Sequence, residues 1–259
     1  MNRRGGLALA FLLLCRSAAG AGGFPREVLS SAGRVVSSPA RISKADLPAI
    51  GAVAAGGLAL YSLDGQLRRA FLRNRSRLND DISKNAEKLG NGGYDAAIVA
   101  AYGGLGLLLK DARMQDTSLL AAESFLAANA AGTLLKYSVG RARPYAEDGK
   151  RRFTPFRFKT ARTSFPSGHT VSAFSLASVF AARSESRAVK TLAYSLASCV
   201  ALQRVYADKH WSSDVLAGAA IGTAVGRWVA KKGLNGPASA MLLPVYSAGY
   251  SGAAAVFSF

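Results

Sequence analysis

The sequence predicts a mainly α-helical protein, a six-helix bundle followed by a short C-terminal β-hairpin. Three observations lead there. Hydrophobic residues make up 50% of the chain, weighted to Ala, Leu and Val, and Gly is abundant beside them, a composition suited to closely packed helices. Apolar segments recur near 47–63, 95–109, 118–135, 170–183, 190–203 and 213–230, with no long repeat or low-complexity tract between them. At 259 residues the chain suits one domain with a sizeable core.

Taken in order, residues 1–21 read as a targeting segment. Arg3-Arg4 form a basic start, Leu7 to Leu14 an apolar run, and Ala19-Gly20-Ala21 a small-residue cleavage site. The folded domain is then expected over 22–259, in the bacterial cell envelope and on the periplasmic side. Cys15 follows Leu14, where a lipoprotein signal would want a small residue, and cleavage would leave Cys199 without a disulfide partner. A polar, basic stretch to about Asp46 leads into the first apolar segment. Loops 64–94 and 145–165 are the long connections, the second punctuated by Pro155 and ending on Pro166. The tail, Val245 to Phe259, alternates so that Phe257 and Phe259 share a face, the pattern of one or two strands.

The apolar segments fall short of the roughly 20 mainly apolar residues that a membrane span needs, and one of them contains Glu123 and Asn129. If all six spanned, the polar motifs described next would lie on the face opposite the mature N-terminus. That parity favours a periplasmic bundle held against a membrane surface over an integral membrane protein.

The formal charge is +18, and +15 without Arg3, Arg4 and Arg16. Such an excess attracts anions: phosphorylated substrates or an anionic membrane surface. Nucleic acid is the weaker reading, since no binding motif or aromatic-interleaved basic helix accompanies the charge.

Three stretches carry chemistry. Lys136, Arg143 and Arg204 supply cations for a tetrahedral anion, Arg as a planar fork and Lys as a point charge. Ser167 and Gly168 stand just before an apolar run, so their N–H groups are expected to open a helix toward an anion. His210 and Asp214 are four apart, a helical spacing that lets the carboxylate accept from one ring nitrogen and leaves the other as a nucleophile. His169 is then available for proton transfer. Each piece alone has an ordinary reading, as a solvated base, a turn and cap, or a helical side-chain pair. Their joint order and spacing do not. Zinc is disfavoured, because two histidines and one cysteine without a carboxylate cluster make a poor ligand set among so many cations. No metal or cofactor is expected.

Lys136 to Pro144 (K-x6-RP), Pro166 to His169 (PSGH) and Arg204 to Asp214 (R-x5-H-x3-D) resemble the three-part signature of the type 2 phosphatidic acid phosphatase (PAP2) superfamily. That superfamily includes bacterial acid phosphatases, lipid phosphate phosphatases and vanadium haloperoxidases. The chain departs from the pattern at Gln203, where the family usually has Ser. The resemblance implies a helical core and a metal-independent phosphatase acting on a phosphorylated lipid, a lipid pyrophosphate or a small phosphate ester. In it His210 would attack phosphorus to form a phosphohistidine, with Asp214 orienting it. His169 would be the proton carrier, and Lys136, Arg143, Ser167, Gly168 and Arg204 would hold the phosphate. Alternatives are a vanadate-dependent haloperoxidase and a non-catalytic protein that binds anionic lipid. Halide oxidation would reveal the first, and lipid binding without hydrolysis the second.

In the loop between the first two motifs, Lys150, Arg151, Arg152, Arg157, Lys159 and Arg162 alternate with Phe153, Phe156 and Phe158. This pattern suits either a solvated basic loop or one that meets an anionic bilayer.

Overall fold

The computed structural model describes residues 43–233 and the two strands of a C-terminal hairpin, so the expected targeting segment 1–21 lies outside the described residues. Among the described residues there are seven α-helices: α1 (Leu47–Arg73), α2 (Arg77–Lys88), α3 (Gly92–Leu108), α4 (Ala112–Val139), α5 (Gly168–Arg183), α6 (Arg187–Tyr206) and α7 (Ser212–Lys232). The mainly helical class is borne out, with one helix more than expected.

The additional helix replaces most of the expected loop 64–94. First, α1 continues to Arg73. After a short break, α2 begins on Ser76, whose hydroxyl accepts from the Asn79 N–H as an N-cap. Its sequence is polar except for Leu78, Ile82 and Ala86, spaced four apart. A search for apolar density passes over such a segment, because local capping and one narrow apolar stripe form it.

The core is centred on α5, which packs against α4, α6 and α7. Val99, Leu120, Ala127, Val171, Val179 and Val225 belong to one cluster of buried side chains joining α3, α4, α5 and α7. The approach of α7 to α5 is set by Gly218, Gly222 and Gly226, one every four residues. A Cβ at Gly222 would lie 2.5 Å from the Val171 carbonyl oxygen, and one at Gly226 would lie 2.4 Å from that of Ser175. Only glycine permits backbones this close, as in small-residue helix contacts generally. This seam brings the start of α7 beside the start of α5.

Two helical stretches, Lys44–Arg73 and Ala112–Val139, are long and apolar enough to cross a membrane. Both exceed the segments read from apolar density, because each helix continues through residues that are polar in sequence but remain helical.

The hairpin pairs β1 (Ala240–Ser247) with β2 (Tyr250–Phe257) in antiparallel register, Ala240 opposite Phe257 and Ser247 opposite Tyr250. It starts earlier than Val245. Pro244 is accommodated because a two-stranded ribbon has only edges, where a missing N–H need not break a ladder.

Candidate active site

The ends of four helices converge at one end of the bundle. Lys136 stands in the last turn of α4, Ser167 and Gly168 open α5, Arg204 lies in the last turn of α6, and Asp214 in the first turn of α7. Between α4 and α5 the chain reverses at Gly140, a left-handed C-cap with φ +60°. A Cβ there would fall 2.0 Å from the Thr154 carbonyl oxygen, so glycine is required for both conformation and space. The loop then carries Arg141 and Arg143 inward.

Ser167 is the N-cap residue of α5, yet its side chain does not cap the helix: its hydroxyl accepts from Thr170 Oγ1 at 2.9 Å. The first-turn N–H groups of α5 are thus left without a side-chain cap, a ready anion site. Lys136 Nζ reaches the same turn and donates to the Pro166 carbonyl at 2.6 Å and the Thr163 carbonyl at 3.1 Å.

Two guanidinium groups border this turn. Arg143 Nη2 donates to Thr163 Oγ1 at 3.4 Å, and Arg204 Nη1 donates to Glu87 Oε1 at 3.0 Å and Gln203 Oε1 at 3.2 Å. The Nε of each is buried without a hydrogen-bond partner among the described residues. Buried donors are rarely left so, and each is a donor available to an anion.

His210 is not on a helix, contrary to the expectation from its spacing to Asp214. It precedes Trp211, the N-cap of α7. Its Nδ1 lies 2.7 Å from the Ser164 carbonyl oxygen and 4.0 Å from Asp214 Oδ2. A carbonyl can only accept, so Nδ1 carries the proton and Nε2 the lone pair. Asp214 therefore does not hold the ring directly. It accepts from Ser164 Oγ at 2.5 Å, from the Trp211 N–H at 3.0 Å and from Arg141 Nη1 at 2.5 Å, fixing the two segments that flank the imidazole.

Burial, and then the Arg143, Lys136 and Arg204 cations, hold His210 well below the ordinary histidine range against the opposing Ser164 bond. Burial and the same three cations bring His169 to about 3. Both rings are therefore neutral near pH 7. That state suits a nucleophile, whereas an acid would need the charge of a bound anion to recover its proton.

Arg141 and Asp64 were not singled out by the sequence reading. Arg141 is fully buried and forks between Asp214 and Asp64, the latter at 2.8 Å, with Ser213 Oγ at 2.7 Å. Asp64 in turn accepts from the Ser213 N–H and hydroxyl at 3.0 and 2.6 Å. A buried carboxylate–guanidinium–carboxylate chain therefore ties α1 to the start of α7. Asp64, the only acidic residue of α1, at the end of its apolar run, was the available signal, since a buried charge is stable only when paired. Gln203 is buried between Ser83 and Arg204, donating to Ser83 Oγ at 3.2 Å. It contacts a cation of the cluster from behind.

The PAP2 superfamily pattern matches residues 117–235, a range that contains all three motifs. Over 93 residues the chain is 42% identical to a lipid A 1-phosphatase of Porphyromonas gingivalis, a match covering 35% of this chain and 18% of that protein. It is 37% identical over 91 residues to a lipid A 1-phosphatase of Rhizobium etli, covering 34% of this chain and 38% of that one. The chain thus spans well under half the length of these relatives. Among solved structures, the fold resembles a transmembrane PAP2-type phosphatidylglycerolphosphate phosphatase from Bacillus subtilis, with a TM-score of 0.54 and 22% identity over 69% of this chain and 92% of that one. It also resembles Aquifex aeolicus LpxE, with a TM-score of 0.50 and 22% identity over 65% and 95% of the two chains. Such likeness speaks for the fold, and the pattern for the motifs: this chain carries a PAP2 superfamily domain over residues 117–235.

Proposed function

We propose that the chain is a metal-independent phosphoric ester hydrolase acting on a lipid phosphate through a phosphohistidine. The carrying observation is the pinning of His210 Nδ1 by the Ser164 carbonyl, which presents the opposite nitrogen as a neutral nucleophile beside three cations. In this reading Nε2 attacks phosphorus, the P–N bond forms and the ester P–O bond breaks. A proton from His169, restored to it by the charge of the bound substrate, passes to the leaving oxygen. His169 then takes a proton from water as that water attacks the phosphohistidine, releasing phosphate and regenerating His210. Lys136, Arg143, Arg204 and the first-turn N–H groups of α5 hold the nonbridging oxygens as charge redistributes.

The lipid substrate class rests on the likeness to the lipid A 1-phosphatases and on the surface. Leu58, Leu108, Leu192 and Leu202 are among many large apolar side chains facing outward, more than a soluble surface needs, which supports membrane association in the cell envelope. The loop after α4 supplies an approach for an anionic bilayer. Phe156 and Phe158 are 71% and 77% exposed, and the Phe158 ring packs at a tilt against Tyr137 at the end of α4, one residue from Lys136. Arg151, Arg152, Arg157 and Lys159 are exposed beside them. Lys150 and Arg162 are engaged inward, with the Tyr61 and Ser62 carbonyls and with Asp148.

The test is phosphate release by purified protein from lipid A, phosphatidylglycerol phosphate, phosphatidate and a soluble phosphomonoester, with chelator present. Release that survives chelation and vanishes in His210→Ala is expected. Release that requires a divalent metal, or that persists in a folded His210→Ala protein, would overturn the reading.

A further inference from the structure

Helix α2 lies outside the stretch matched by the family pattern, yet it touches the site along one face. Ser83 accepts from Gln203, Glu87 accepts from Arg204 at 3.0 Å, and Gly90 sits so near α5 that a Cβ there would lie 3.0 Å from the Cβ of His169. These positions are spaced i, i+4 and i+7, one side of a helix and its C-terminal turn. One turn earlier, Asp80 accepts from the Tyr206 hydroxyl at 2.7 Å, so the same face grips the end of α6. The Arg204 side chain is 4% exposed and that of Glu87 is 48% exposed: the carboxylate comes in from the rim to a buried cation.

From this we infer that Glu87 is the positioning residue of Arg204. Its carboxylate and the Gln203 carbonyl both take Nη1, so the guanidinium is held from one edge. Nε, on another edge, is buried without a partner among the described residues and is the donor left for a phosphate oxygen. Without Glu87 one of the two bonds that fix the plane is lost, and Arg204 would spread over rotamers that do not present Nε. The inference rests on the phosphate-handling reading of the site.

Binding of orthovanadate and of inorganic phosphate by calorimetry, to wild type, Glu87→Ala, Glu87→Gln and Arg204→Lys proteins, tests it without turnover. Glu87→Ala is expected to weaken vanadate binding about tenfold, the scale of one charge-assisted hydrogen bond. Glu87→Gln keeps an accepting oxygen and should recover most of that loss. In an Arg204→Lys background, Glu87→Ala should cost little more, because the fork it positions is gone. Tighter anion binding by Glu87→Ala would mean that the carboxylate competes for Arg204, and would overturn the inference. An equal loss in the Arg204→Lys background would do so too, assigning the effect to α2 packing. Wild-type protein that binds vanadate but releases no phosphate from any ester would sink the hydrolase reading while leaving the Glu87 comparison intact.

Discussion

His210 Nδ1 is 2.7 Å from the Ser164 carbonyl oxygen, while Asp214, four residues away in sequence, approaches it only to 4.0 Å. The tautomer of the histidine is thus set by a backbone group, and the carboxylate acts on the segments that carry both. Removing the carboxylate and removing the imidazole should therefore differ. His210→Ala is expected to abolish phosphate release, whereas Asp214→Asn should lower kcat by roughly two orders of magnitude and leave some turnover. In His169→Ala with a good leaving group, alkaline quenching and phosphorus NMR should detect an accumulated phosphohistidine. An equally complete loss in both His210→Ala and Asp214→Asn would refute the division of roles.

Arg141 bridges two buried carboxylates, Asp64 and Asp214. Arg141→Ala would leave both in place without their cation. The expected destabilisation is about 3–5 kcal/mol, the range for breaking a buried pair, read as a lowered Tm in detergent. An unchanged Tm would mean that the chain from α1 to α7 does not hold the site together.

At the glycine seam, Gly222→Ala puts a methyl group 2.5 Å from the Val171 carbonyl oxygen, a separation that forces α5 and α7 apart. Since those helices carry His169 and Asp214, activity should fall more than tenfold. Gly57→Ala, in α1 with open space around it, is the control, and should leave activity unaltered and stability equal or slightly higher. Equal effects of the two substitutions would argue against the seam as the device that sets the spacing.

Proton linkage has a definite sign. His169 is held at about 3, below its unfolded value near 6.5, by burial and then by the cations that are the proposed phosphate ligands. Between those values the unfolded chain binds more protons than the folded one, so stability measured without added anion should drop as pH falls below about 6.5. A bound anion offsets the cations and raises the ring, so vanadate binding at pH 6 should take up a proton. Calorimetry in two buffers of different ionisation enthalpy measures that uptake, which His169→Ala should remove. Binding enthalpy that is independent of buffer would contradict it.

The loop after α4 makes a separate prediction about substrate delivery. Replacing Arg151, Arg152, Arg157 and Lys159 by Gln should reduce turnover of lipid phosphate in anionic vesicles, more at low salt than at high. Each base near such a surface is worth about 1 kcal/mol. Hydrolysis of a small soluble ester should change little. Matching losses on both substrates would assign the loop to the shape of the pocket.

Lys136, Arg143, Ser167, Gly168, His169, Arg204, His210 and Asp214 were legible as candidates because residue type and spacing in sequence suffice to mark them, and apolar density sufficed for the helical class. The partner of His210 was not legible: it is a backbone carbonyl, and every residue has one, so only the folded path of the loop selects Ser164. Asp64 and Arg141 meet across 77 positions, and Glu87 and Arg204 across 117, so their pairing depends on how α1 and α2 dock. Helix α2 escaped for a related reason. Its polar sequence says that a helix can form, while the choice of which face meets α6, and so which carboxylate meets a buried arginine, is made by packing.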